Sequence, residues 1–310
     1  VGYHAGASVT TGSLNTIMGG LAGGALTTGE KNIAIGYNAL ATEDTGDRSV
    51  AIGHGALRYQ NNDASNYNVA VGYDAGTNIT TGAQNTIIGG LAGDALTVGD
   101  TNVAVGYKAL TSETQGDRNV AIGKSALQNQ NNTSNTDAYN VAVGYEAGIA
   151  ITTGTNNVLV GGQSADSLTT GANNIAIGRA SLATETSGAN NVAIGYIALN
   201  DQDGADYNVA VGHAAGEKIT TGDENVIVGA QAGDALTIGK HNVAIGYQSL
   251  SSANAGDFSV AVGHSALREQ AGASAGDNFY NVAVGYQAGK LVTTGINNTI
   301  IGGLAGDALT

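Results

Sequence analysis

The sequence predicts an all-β fold, a β-solenoid, on three observations. A short unit, N-[VIT]-[AIL]-[VIM]-G-x-x-[AS]-[LG], recurs from one end of the 310 residues to the other. Its glycine falls at eighteen places from Gly2 to Gly302, and fourteen of the seventeen spacings are 17 residues, the others being 19, 21 and 22. Inside each unit the residues alternate with a two-residue period, which marks a strand. Self-similarity at a short fixed period is the signature of stacked repeats, each leaning on its neighbours. Eighteen coils of about 17 residues, without a break, read as a single β-solenoid repeat domain over residues 1–310. The chain opens inside a unit, at Val1-Gly2-Tyr3, as expected of a segment of a longer protein.

Composition narrows the alternatives. There are 49 glycines but no proline, cysteine or tryptophan. Collagen and disordered glycine-rich chains usually bring abundant proline, and no G-X-Y period exists here. A net charge of −14 with only 11 Lys and Arg argues against a nucleic-acid partner. The lack of cysteine excludes a disulfide framework and thiolate metal sites. No apolar run reaches the roughly 18 residues of a spanning helix, so membrane insertion is not expected.

With the unit's glycine as position 0, each column carries an expectation. The β-branched residues at −3 and −1, such as Val69 and Val71, are expected to point into the solenoid as two apolar columns. The residue at −2 then points outward. It is Ala in twelve coils, Ile in four (Ile17, Ile87, Ile227 and Ile300) and Leu159 in one, and never polar. A neighbouring surface is therefore expected to cover it. Bulk at −2 accompanies a small residue at +1 (Gly20, Gly90, Gly162, Ala230 and Gly303), which reads as packing against that neighbour. Asn begins the strand at −4 in fifteen of seventeen coils, where stacked amides form hydrogen-bond ladders and cap turns. Position +3 is Ala or Ser throughout, a crowded place. A second glycine at +10 marks a corner needing positive φ or close backbone approach. Leu at +4 or +7 fills the second wall. The coils also come in groups of four, and the fourth type ends in a variable polar loop (residues 58–67, 128–139, 200–207 and 268–280), expected to be a solvated excursion.

The string N-V-A-I-G-Y-x-A-L, with its N/T-T-G punctuation, resembles the repeats of phage tail-fibre-like proteins. It is also similar to the S-V-A-I-G head repeats of trimeric autotransporter adhesins of the YadA type. The resemblance covers the whole chain. It implies a parallel β-roll, left-handed and assembled as a homotrimer, with a spacer or surface-binding role. The chain departs from the adhesin heads in its longer coil and in carrying no coiled-coil stalk or anchor.

No catalytic, cofactor-binding or metal-ligating set emerges. His4, His54, His213, His241 and His264 are scattered, and read as solvated or stacked fillers. The glycines lack a P-loop lysine and a strand-to-helix context, which speaks against phosphate binding. Acids beside the corner glycines (Glu30, Asp47, Asp100, Asp117, Asp223 and Asp257) could hold calcium between coils or be plain surface charge; they do not follow the G-G-x-G-x-D-x pattern. Tyrosines after the coil glycine (such as Tyr37, Tyr73 and Tyr107) and before the strand Asn (Tyr67, Tyr139, Tyr207 and Tyr280) suit glycan contact or interface packing. Thr pairs such as Thr80-Thr81 recur too irregularly for a flat ice-binding array. The leading expectation is a non-enzymatic fibre or adhesin shaft, extracellular or on a cell or virion surface. It would self-associate as a homotrimer or filament, with a cell-surface glycan or receptor as a further partner. A self-assembling extracellular filament subunit is the alternative, and a carbohydrate-active β-helix enzyme a third class.

Overall fold

A computed structural model describes residues 1–271 and 276–310. The variable loop over residues 268–280 therefore lies partly outside the described residues. The described residues contain strands and turns and no helix. Internal contacts divide the chain into two compact units, Val1–Asn156 and Asn157–Thr310. Each is a parallel β-solenoid with one three-residue strand per coil. In the first unit eight such strands run from Thr16–Met18 to Val141–Val143, and in the second nine run from Val158–Val160 to Thr299–Ile301. Register is level: Val50, Ala51 and Ile52 lie opposite Val69, Ala70 and Val71, and Val192, Ala193 and Ile194 opposite Val209, Ala210 and Val211. The fold read from the repeat is the one observed.

The expected facing of the strand is reversed. Ala70, Ala104 and Ala193 at −2 are fully buried within their own unit, as are Ile87 and Leu159. Their neighbours at −3 and −1 are half-buried or exposed. A shift of one residue in parity moves every side chain to the other face. The parity is set by the flanks of the strand. Asn at −4 is buried in coil after coil, Asn68, Asn102 and Asn191 among them, and −2 shares its side. The interior is thus built from −4, −2, the Ala or Ser at +3, and larger side chains from +4, +7 or both.

Bulk at −2 and bulk at +4 exclude one another inside a coil. Where −2 is Ile, position +4 is glycine. A β-carbon on Gly93 would stand 3.1 Å from Ile87 Cδ1, and one on Gly233 would stand 3.0 Å from Ile227 Cδ1. Where +4 is a fully buried Leu, as at Leu40, Leu57, Leu110 and Leu127, −2 is Ala. The compensation is internal. The residue at +1 takes no part in it, since a β-carbon on Gly20 would meet the Tyr37 ring and not Ile17.

Two sets of contacts fix the distance between coils. The glycine at position 0 stacks on its counterpart above: a β-carbon on Gly106 would lie 2.4 Å from the Gly123 carbonyl oxygen, and φ there is +136°. Both the space and the dihedral exclude an L side chain. The corner glycine at +10 is there for close approach rather than for positive φ, since a β-carbon on Gly82 would sit 2.5 Å from the Gly99 oxygen. The Asn column supplies the second set. Asn102 accepts at Oδ1 from the backbone N–H of Asn119 at 2.9 Å and donates through Nδ2 to the Gly116 carbonyl at 2.9 Å. Asn68 and Asn191 repeat the pattern. Each buried amide is thus paired with backbone one coil on, as buried polar groups require.

The column at +7 is not wholly apolar. In the third and fourth coil types it holds Glu and then Gln, fully buried: Glu43 and Gln60, Glu113 and Gln130, Glu185 and Gln202. Glu113 accepts from the backbone N–H groups of Thr114, Gln115 and Gly116, from Gln130 Nε2 at 2.9 Å and from Asn132. Burial pushes the Glu43 carboxyl above its ordinary range, and its bonds from Gln60 and Gly46 pull it back. The variable loops are therefore not simple solvated excursions, because each sends its Gln inward and two add a buried Asn (Asn66 and Asn132). In the last group Ala253 takes the place of Glu, and the Phe279 ring, 4% exposed, lies against Gly256 instead.

Replacing Glu113 with Ala should cost more than about 3 kcal/mol, because several buried donors lose their acceptor at once; denaturant unfolding measures it. A Gly-Ser insertion after exposed Ser134 should leave the melting temperature nearly unchanged. The same insertion after Val105 should abolish the cooperative transition.

Candidate functional site

The reversed parity leaves an exposed sheet face as the main surface feature of each unit. Positions −5, −3, −1 and +1 share the outward side of the strand. The two central columns are aliphatic except where Thr stands at −3, at Thr16, Thr86 and Thr299. In the first unit −3 runs Thr16, Ile33, Val50, Val69, Thr86, Val103, Val120 and Val141, with Met18, Ile or Val at −1. None is charged. Ile88 is 39% exposed, Ile122 38% and, in the second unit, Ile177 37%. At roughly 100 Å² of apolar surface per β-branched side chain, a third of it open, sixteen such residues expose on the order of 500 Å². Contiguous patches of that size usually mark interaction sites.

Aromatic and cationic columns flank the aliphatic ones. At +1, His54 lies between Tyr37 and Tyr73, with ring centroids 5.5 and 5.0 Å away. His264 lies likewise between Tyr247 and Tyr286, at 5.2 and 5.3 Å. Lys124 stands 5.1 Å from the Tyr145 ring centroid and Arg179 5.8 Å from that of Tyr196. At −5, Arg48 covers Tyr67, Arg118 covers Tyr139, and Phe258 is stacked between His241 and Tyr280. His54, His213, His241 and His264 are thus members of these ring columns, whereas His4, at +2, meets Tyr3 edge-on. Five of the chain's 11 Lys and Arg (Lys31, Arg48, Arg118, Lys124 and Arg179) stand on the flanking columns, against a single carboxylate there, Glu224. Three of these cations are paired with carboxylates just outside the columns, Lys31 with Glu30, Arg48 with Asp47 and Arg118 with Asp137.

The corner acids have a structural job. Asp117 Oδ1 accepts from the Asp100 backbone N–H at 2.7 Å, and Asp100 Oδ1 from that of Ala83 at 2.7 Å. Asp47, Asp223 and Asp257 do the same for Glu30, Asp206 and Lys240. Burial pushes the Asp117 carboxyl above its usual range, and the bond from Asp100 opposes it. Among the described residues no group of three or more His, Cys, Asp or Glu is placed to hold a metal ion. Threonines at +8 donate to the carbonyl one coil on, Thr80 to Thr97 and Thr97 to Thr114, which turns their hydroxyl protons away from solvent.

The tyrosine columns stand half-exposed (Tyr37 51%, Tyr67 53%), and sequence reasoning assigns the outward apolar column to the wrong residues. No helix among the described residues is long and apolar enough to cross a membrane. Comparison with protein-family models, curated proteins and solved structures gives no match.

The face and the interior should respond differently to charge. Ala104→Asp should unfold the first unit, since −2 is fully enclosed. Val103→Asp with Val105→Asp should preserve the far-ultraviolet spectrum and shift the melting temperature of the isolated subunit by a few degrees at most. Equal damage from both would contradict the assigned facing.

Proposed function

We propose that the protein is a non-enzymatic structural fibre or adhesin shaft that self-associates through the aliphatic face. The observation that carries this reading is the uncharged double column of Val, Ile and Thr at −3 and −1, half-open to solvent in every coil. Its repeat favours a particular partner. A surface that recurs at the strand spacing of about 4.8 Å can be matched along its length only by a surface with the same spacing, and another copy of the chain has one. Removing such a face from water contributes about 25 cal/mol per Å². The flanking rings, half-exposed, add the large rigid contact area common in interfaces. The resemblance to tail-fibre and adhesin-head repeats supports a trimer and a place outside the cell or on a virion. Filled coil interiors and ladder-bonded corners suit a spacer that carries load and holds distance.

Sedimentation velocity of the native protein tests this. The expected result is a discrete oligomer, a trimer on the favoured reading, that falls to monomer when Val103, Val105, Val120 and Ile122 are all changed to Asp. A native monomer at micromolar concentration would overturn it. Long free filaments in electron micrographs would instead favour the filament-subunit form of self-association.

A further inference from the structure

The wall carrying positions +5 to +9 bears a groove unrelated to the aliphatic face. It runs along the first unit between the columns at +6 and +8, has a volume of about 620 Å³, and is lined by Thr42, Tyr59, Asn61, Asn78, Thr80, Ala95 and Thr97. Tyr59 forms a raised wall, 42% exposed, with the Arg58 guanidinium 4.9 Å from its ring centroid. Its equivalents in the other groups are Asn129, Asp201 and Glu269, so the ring belongs to this group of coils. Small Ala95 leaves the far side open.

The polar groups of the groove are prearranged. Thr42 Oγ1 is 3.0 Å from the carbonyls of both Arg58 and Gln60, and Thr97 Oγ1 donates to Thr114 at 2.8 Å. With protons committed to backbone, these hydroxyls present lone pairs outward as acceptors. Asn78 donates one Nδ2 proton to the Asp94 carbonyl at 2.7 Å and keeps its Oδ1 and second N–H for a ligand. Asn61 is exposed beside it and brings another amide. No charged residue lines the groove, although the chain carries 25 Asp and Glu.

We propose that this groove binds a neutral oligosaccharide, with a pyranose ring against Tyr59 and its hydroxyls on Asn61, Asn78 and the Thr42 and Thr97 oxygens. A sugar presents an apolar C–H face and a rim of donor hydroxyls, which an aromatic wall above an acceptor-rich floor complements. A purely apolar ligand would leave the amides unpaired, at a cost. The floor itself offers an acidic sugar no cation, and the one guanidinium at the wall, that of Arg58, lies against the Tyr59 ring. The inference goes beyond the self-association proposed above, and its site is separate from the assembly face.

Saturation-transfer NMR and calorimetry with tetrasaccharides of glucose, mannose, galactose and N-acetylglucosamine, and with sialyllactose as the acidic probe, test it on the full chain. At least one neutral tetrasaccharide should bind saturably. Tyr59→Asn should weaken it at least ten-fold, about the worth of one aromatic contact, while Tyr59→Phe keeps most of the affinity. Ala95→Lys, which fills the far side, should abolish binding and serves if the Tyr59 variant misfolds. Sedimentation of each variant separates loss of the site from loss of assembly. The proposal is overturned if no neutral sugar binds, if only sialyllactose binds, or if binding survives both Tyr59→Asn and Ala95→Lys in folded protein.

Discussion

The whole architecture depends on how closely one coil can lie upon the next. At position 0 the backbone of one coil comes within contact of the carbonyl above, and a β-carbon at Gly36, Gly53 or Gly195 would be 2.2 to 2.3 Å from that oxygen. Only glycine permits the strand spacing there. Once that distance is set, the Asn amides reach from coil to coil, and the corner Asp side chains reach the N–H groups beneath. These ladders give the polar groups of the stack their partners. The energetic logic is that of a quasi-one-dimensional protein, in which a coil has few contacts of its own and depends on the two beside it.

Repeats made some of this legible. The coil length, the strand, the stacking glycine and the Asn ladder recur so often that spacing alone reveals them. Facing was not legible from hydrophobicity, because −3, −2 and −1 are all apolar and alternation carries no signal where both faces are. The informative residue was Asn at −4. A buried amide paired with backbone fixes parity, and Ala70 must then follow Asn68 inward. The Glu and Gln at +7 hide for another reason: a carboxylate reads as surface unless its column is followed through four coils, where Leu, Glu, Gln and Ile succeed one another at Leu96, Glu113, Gln130 and Ile151.

Backbone conformation was also beyond reach of the sequence. Each coil holds non-glycine residues in the left-handed region, as at Lys108, Leu110 and Arg118 with φ of 57°, 54° and 59°. Leu and Arg do not favour it. Their N–H groups are committed to carbonyls of adjacent coils, Lys108 to Gly90, Leu110 to Ala126 and Arg118 to Asp100. The stack imposes these turns on whichever side chains stand there. Surface chemistry can therefore vary at +1, +6 and −5 without touching the frame, and the aromatic columns and the Tyr59 groove are such local additions.

The buried Glu and Gln have one more consequence, for how such a chain can grow or shrink over generations. Glu43 needs Gln60 above it, and neither Leu26 nor Ile79 could stand in for the other's partner. Glu43 already has Leu26 on one side, so losing the Gln60 coil would leave its carboxylate between aliphatic side chains. Coils of the third and fourth types are thus inherited as a pair, and related chains of any length should keep Glu and Gln in adjacent coils. Loss of the carboxylate, as at Ala253 with Phe279 filling in, releases a pair from that rule and lets its neighbours drift apart in length.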